Sequence, residues 1–238
     1  MDHLVHQQAY NALRDMILSY TLMPGQRVSD FSLAKKLGFS RTPVREALAS
    51  LSRDGLVVTG EKGYIVRPLD ADDLKDLCYL REALESMALH LIMERGGFSP
   101  EELAKLKELN RTIERYNDEG KIFNTFEIDE KFHDFIMRSS NSPRLSEQLR
   151  IAQLQMRRYR FLTLITAGRS QNSAIEHARL IDALEAGSLS DAVETIHDHL
   201  RVTVELYTDV LQRMSVEEWV RLIRTLAPPE TLQAINLF

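Results

Sequence analysis

Gly38-Phe39-Ser40-Arg41-Thr42-Pro43-Val44-Arg45-Glu46-Ala47-Leu48, continuing through Leu51 to Asp54-Gly55, decides how this chain is read. A short turn opens into a helix. Ser40 or Thr42 can cap it, because a hydroxyl oxygen there can accept from a free backbone N–H. Pro43 falls in the first turn, where no donor is needed. Val44, Ala47, Leu48 and Leu51 recur at helical spacing and form one buried stripe. Arg41 and Arg45, four residues apart, share a face away from that stripe. Gly55 ends the helix. A helix held by its apolar side, with guanidinium groups at its N-terminal end, is what reading a major groove requires.

The flanking pattern supplies the rest of a small domain. His6 to Tyr20 is helical in period, with Ala9, Leu13, Met16 and Ile17 on one face, and Met23-Pro24-Gly25 breaks it. Ser29 to Leu37 is a shorter helix closed by Gly38. After the arginine-bearing helix come two β-rich runs, Leu56-Val57-Val58 and Tyr64-Ile65-Val66, separated by Thr59-Gly60-Glu61-Lys62-Gly63. Glycines at both ends of that gap predict a hairpin. Three helices and a hairpin make a winged helix-turn-helix over residues 1–68, with Lys62 and Gly63 at the wing tip. The alternative is a winged module that binds protein, but exposed paired arginines have little use in a protein–protein core.

Charge distribution agrees. The 238 residues carry a net charge of −5. Residues 1–68 hold 9 Lys+Arg against 6 Asp+Glu, a net of +3, and the remainder holds 21 against 29, a net of −8. That asymmetry suits a chain of which only the first part meets phosphate. One cysteine, Cys78, excludes an internal disulfide and fits a reducing compartment. No signal peptide and no membrane-spanning run is legible, so the expectation is a soluble cytoplasmic protein.

The segments Leu33-Ala34, Leu37-Gly38, Ser40 to Leu48 and Asp54-Gly55-Leu56-Val57 resemble the GntR family of bacterial repressors over roughly residues 6–68. The resemblance implies that Ser40, Arg41, Thr42 and Arg45 meet DNA, with Gly63 at the wing. Some members carry a DNA-contacting arginine where this chain has Phe31. Arg27 or Lys35 is the expected substitute.

From Pro68-Leu69-Asp70 onward the pattern is helical throughout. Asp70 can cap a helix over Leu74 to Arg95, ended by Gly96-Gly97. Ser99-Pro100-Glu101-Glu102 opens the next, to about Asn117. A third runs from Lys121 or Phe123 to Ser139, a fourth from Pro143 to about Thr166, a fifth from Gln171 to Ala186, and a sixth, capped by Ser190, to about Arg213. The fold class is therefore mainly α: an N-terminal winged helix-turn-helix followed by an antiparallel all-α bundle over residues 70–213. Bundle interiors commonly hold metals or small molecules. Residues 214–238 begin a short acidic-started helix at Ser215 and have no assignable role.

Chemistry in the bundle sits in its histidines. Asp129 and His133 are four apart, so both side chains point the same way. His177 lies on the fifth helix, and His197 and His199 on the sixth. One carboxylate and imidazoles from three helices suit a borderline divalent ion such as zinc, nickel or manganese. Isolated histidines also pack, cap or face water, and spacing does not choose between His197 and His199.

Asp129-x-x-Phe132-His133, Ser140-Asn141, Glu176-His177 and His199 are together similar to the FCD ligand-binding domain of the FadR-like branch of the GntR family. The resemblance implies one divalent metal per chain, zinc favoured, on Asp129, His133, His177 and His199, beside a pocket for a small carboxylate effector. It leaves His197 outside the ligand set. Arg81 matches an arginine common in that domain and faces inward on helical phase, with a surface Arg81–Glu85 pair as the alternative. Asn141 and Arg157 are further effector-binding candidates, with Arg158 and Arg160 beside the latter. Glu130 and Glu176, adjoining ligands in sequence, are expected to point elsewhere. A metal-dependent enzyme acting on a small carboxylate is the alternative function, but no nucleophile motif or phosphate loop supports it. The expected partners are palindromic operator DNA, read by a homodimer, and the acid effector.

Overall fold

A computed structural model of the chain describes residues 2–61, 63–159, 169–215, 217, 218 and 221. The order is α1 (Asp2–Leu18), β1 (Arg27–Val28), α2 (Asp30–Leu37), α3 (Arg41–Arg53), β2 (Val57–Gly60), β3 (Gly63–Val66), α4 (Ala71–Glu94), α5 (Pro100–Asp118), α6 (Ile122–Ser139), α7 (Pro143–Met156), a 3-10 turn (Arg157–Tyr159), α8 (Arg169–Glu185) and α9 (Leu189–Arg213). The fold is mainly α, as the hydrophobic period implied. Among the described residues, no helix is long and apolar enough to cross a membrane.

The chain divides into two compact units, the first running to Asp70 and including Arg157–Tyr159, the second containing the other helices from Ala71 to Arg213. In the first, Ala9, Leu13 and Ile17 of α1 are buried together with Val44, Ala47, Leu48 and Leu51 of α3. α2 is capped by Ser29, whose hydroxyl accepts from Ser32 N, and ends at Gly38 with φ 73. α2 and α3 are thereby joined by a tight left-handed turn that L-residues with a Cβ resist.

The wing is a three-stranded antiparallel sheet in the order β1-β3-β2. β2 and β3 form the expected hairpin, with Val57 opposite Val66 and Gly60 opposite Gly63. β1 was not expected. It pairs Arg27 with Ile65 and Val28 with Tyr64, and two residues are too few to show the alternation that marks a strand.

The second unit buries Leu84, Ala88 and Leu89 of α4, Leu106 of α5, Phe132 and Ile136 of α6, Leu180 of α8 and Ile196 of α9 in one cluster. Ser99 caps α5 through a reciprocal box with Glu102. Two expected details differ. Ser188, not Ser190, serves the start of α9: its hydroxyl accepts from Asp191 N at 3.4 Å. α7 gives way to a 3-10 turn at Arg157–Tyr159, where an unbroken α-helix was expected; the rest of the expected span, residues 160–166 with Arg160, lies outside the described residues. In the C-terminal segment, Ser215 N donates to Glu218 Oε2 at 2.7 Å and Glu218 N to Ser215 Oγ at 3.3 Å. These two bonds are the reciprocal start expected of a helix there.

Candidate metal centre and nucleic-acid interface

Ser40, Arg41, Thr42 and Arg45 are all exposed on the outer face at the N-terminal end of α3, while Val44, Ala47, Leu48 and Leu51 are buried beneath. Burial of the stripe therefore presents the polar face outward. Ser40 occupies the N-cap position, but its side chain makes no capping bond. The residue is exposed, so its hydroxyl is accessible to a phosphate oxygen. Arg41 does not stand alone: its Nη2 donates to Asp30 Oδ2 at 3.0 Å and its Nε to the same oxygen at 3.3 Å. Its guanidinium lies 6.0 Å from the Phe31 ring centroid. Phe31, 63% exposed, thus packs beside Arg41, at the position where some members of the family carry an arginine. Arg27 and Lys35 are exposed. Gly63 is exposed at φ 97, and a Cβ there would lie 2.7 Å from the Val28 carbonyl oxygen. Its lack of side chain serves the approach of β1. Lys62 lies outside the described residues.

In the helical unit, Asp129 and His133 of α6 meet His177 of α8 and His199 of α9. One ligand atom from each lies within 4.8 Å of all the others. His133, His177 and His199 are buried and Asp129 partly so. His133 Nε2 and His177 Nε2 are 3.3 Å apart. Asp129 Oδ1 is 3.6 Å from His177 Nε2, and its Oδ2 is 3.9 Å from His133 Nε2. Donors bound at ~2.0–2.1 Å in tetrahedral geometry stand about 3.4 Å apart. The cluster is therefore within a few tenths of an ångström of chelating dimensions along its measured edges.

The surroundings orient these donors. His133 Nδ1 lies 2.6 Å from Glu85 Oε2, and His199 Nδ1 2.7 Å from Glu176 Oε2. An ionised carboxylate can only accept, so each Nδ1 carries the proton, and in the neutral imidazole that leaves the lone pair on Nε2. That is the tautomer a metal ligand needs. Ser173 Oγ donates to Asp129 Oδ1 at 2.9 Å. The Phe132 ring stacks on His177 with centroids 4.1 Å apart and fixes its plane. Burial works against charge on Asp129, but His133, His177, His199 and Arg81 outweigh it and hold the carboxyl well below its usual range. An ionised oxygen with three nitrogens fits a borderline divalent cation. Cys78 contributes no thiolate, since burial pushes it up to about 11.

Arg81 is buried, as its helical phase implied. Its Nε donates to Glu85 Oε1 at 2.8 Å. The Arg81–Glu85 pair weighed as a surface feature thus exists in the interior, with Glu85 fully buried. His197 is exposed and pairs with Glu82 at 2.9 Å. Two further effector candidates remain. Asn141 is exposed, with φ 54, at the turn that ends α6, and Arg157 sits in the 3-10 turn grouped with the first unit.

Two oriented carboxylates escaped the sequence reading. Glu176 was expected to point away because it adjoins His177; it does turn from His177, but onto His199. Glu85 carried one legible signal, its i+4 spacing from the inward Arg81. Neither spacing names a partner on another helix.

Comparison with known proteins now bears on these sites. The FCD domain matches residues 76–202, and the bacterial regulatory proteins of the gntR family match residues 5–63. The HTH-type transcriptional regulator YdhC of Bacillus subtilis (strain 168) is 28% identical, over 86% of this chain and 92% of its own. An HTH-type transcriptional regulator in an unstable DNA locus of Streptomyces ambofaciens is 32% identical over 82% of both chains. The solved structure of E. coli McbR/YncC superposes with a TM-score of 0.70 at 23% identity, covering 86% of this chain and 97% of that one, and shows the shared fold. These relatives are regulators, and nothing in them supports the enzyme alternative. The chain belongs to the GntR family of bacterial regulatory proteins, as a DNA-binding transcriptional regulator with a C-terminal FCD domain.

Proposed function

We propose that the chain represses transcription as a homodimer on a palindromic operator, and that a small organic acid bound beside a divalent metal in the helical unit controls its grip. Residues 1–68 read DNA, and residues 70–213 sense the acid. One recognition helix spans too few base pairs for a useful specificity ratio, whereas a two-fold pair reads both halves of a palindrome. Arg41 and Arg45 address guanine edges, and Ser40 and Thr42 position the helix on phosphate, with Lys62 and Gly63 at the wing. RspR of E. coli, a transcriptional repressor 24% identical over 92% of its length, favours the repressor direction.

The observation that carries the sensing half is the four-residue donor cluster with its Nδ1 atoms held by Glu85 and Glu176. A divalent ion there, zinc first and nickel or manganese by the same donor set, would take up a carboxylate oxygen by expanding beyond four-coordination, which all three ions allow. Asp129, His133, His177 and His199 hold the ion. Arg81 supplies a charge-assisted hydrogen bond to the acid, and Asn141 and Arg157 are kept as further effector-binding candidates. The acid alters operator affinity by binding the two arrangements of the dimer unequally.

Operator binding by the purified protein, measured across a panel of small organic acids with and without chelator, tests this. The expected result is one acid whose effect on DNA affinity disappears on metal removal. Acid responses that survive complete chelation would refute the metal-dependent reading and leave DNA binding untouched.

A further inference from the structure

Glu85 sits where two functions meet. It is fully buried, on α4, and each of its oxygens has its own partner. Oε1 accepts from Arg81 Nε at 2.8 Å, and Oε2 lies 2.6 Å from His133 Nδ1. Arg81 is one helical turn away on α4 and His133 is on α6, so this one carboxylate joins a buried cation to a member of the cluster. Arg81 bonds Glu85 and not Glu176, which holds His199 instead.

We propose that Glu85 is a positioning residue that ties the metal ligand His133 to the acid-binding Arg81, so that the two halves of the sensor are set by one side chain. The inference rests on the reading of the cluster as a metal and carboxylate site. Its chemistry is that of a double acceptor. His133 can offer Nε2 to a metal only while Nδ1 carries its proton, and that N–H needs an acceptor. Arg81 Nε–H, buried with it, also needs one. A carboxylate satisfies both at once. A glutamine has the same shape but one acceptor and one donor. Turned to serve His133, its amide N–H faces the Arg81 Nε–H. Turned to serve Arg81, it donates to His133 Nδ1 and drives the proton onto Nε2, which closes the metal position. Glu176 has no such double duty toward Arg81, and a glutamine there can turn its oxygen to His199.

The test compares wild type, Glu85→Gln and Glu176→Gln in zinc affinity, by competition with a chromophoric chelator, and follows the Arg81 Nε–H by nitrogen NMR. Glu85→Gln is expected to weaken zinc by roughly 10- to 100-fold, the range for second-shell partners, and Glu176→Gln by several-fold less. In Glu85→Gln, added zinc should speed solvent exchange of the Arg81 Nε–H, because the amide oxygen is drawn to His133; in wild type it should not. Equal losses in the two variants, or an Arg81 signal indifferent to zinc in Glu85→Gln, would overturn the proposal. If Glu85→Gln fails to fold, metal-free wild type decides: His133 protonated on Nδ1 supports the proposal, and protonation on Nε2 overturns it. Wild type that takes up no zinc would instead count against the metal reading itself, and the tautomer of His133 would still judge the role of Glu85.

Discussion

Stripping the metal should loosen the helical unit by an amount that can be worked out. The donors come from α6, α8 and α9, so an ion on Asp129, His133, His177 and His199 binds only where those helices are already assembled. A ligand of the native state alone stabilises it by about 4 kcal/mol when present at ~1,000 times its dissociation constant. The unit is about 140 residues long, and at ~2.1 cal/mol/K per residue its unfolding entropy near the midpoint is about 0.3 kcal/mol/K. The quotient is a shift of about 14 °C between zinc-saturated and chelated protein. Circular dichroism at increasing temperature measures it, with elemental analysis fixing one ion per chain. Paired His133→Ala and His177→Ala substitutions should abolish the shift and the bound ion together. A midpoint that moves by less than about 2 °C at full occupancy, or a double variant that keeps stoichiometric metal, would show that the wrong residues have been placed around it.

Three further outcomes are expected. Arg45→Ala should leave the fold unchanged by circular dichroism, since the side chain is exposed, and weaken operator binding by ~1–3 kcal/mol per half-site; unchanged affinity in a gel-shift titration would remove α3 as the reading helix. Gly63→Ala should cost roughly 1–3 kcal/mol of stability to denaturant, because the added Cβ would stand 2.7 Å from the Val28 carbonyl at φ 97; a neutral result would contradict the pairing of β1 with β3. Acid should act through Glu85 and Asp129. For both, burial opposes the charged form, but Arg81 and His133 on Glu85, and the three imidazoles and Arg81 on Asp129, hold the carboxyls well below their usual range. A depressed folded-state pKa gives stability that is present above the unfolded value and lost as pH falls toward the folded one. The thermal midpoint of metal-free protein should therefore drop as pH falls below 4.5, the ordinary glutamate value; a midpoint flat from pH 7 to pH 3 would argue against ionised carboxylates in the bundle.

The readable parts of this protein were those in which neighbours along the chain are also neighbours in space. The stripe Val44, Ala47, Leu48 and Leu51 implies a buried face, and that face leaves Arg41 and Arg45 outside. Ser99 with Glu102 announces its helix start, and Gly60 with Gly63 announces the hairpin. Asp129 and His133 share a face by their i+4 spacing alone. At His199 helical phase was silent, and the family spacing supplied the choice over His197. His199 is buried in the cluster, and His197 is exposed against Glu82.

What only the tertiary structure decided lies between helices. β1 exists because β3 offers it a ladder, since a two-residue strand has no period of its own. Arg41 is drawn to Asp30 and Phe31 by the turn between α2 and α3, which sequence separation does not reveal. Glu85 and Glu176 face His133 and His199 across helix contacts, 48 and 23 residues away. Periodicity tells which side of a helix is inward. It does not tell which side chain of another helix waits there, because that depends on the axial offset at which the helices pack. The sequence by itself determined the helices, their inward faces and the ligand types; packing decided how those ligands are oriented and which carboxylate joins Arg81 to His133.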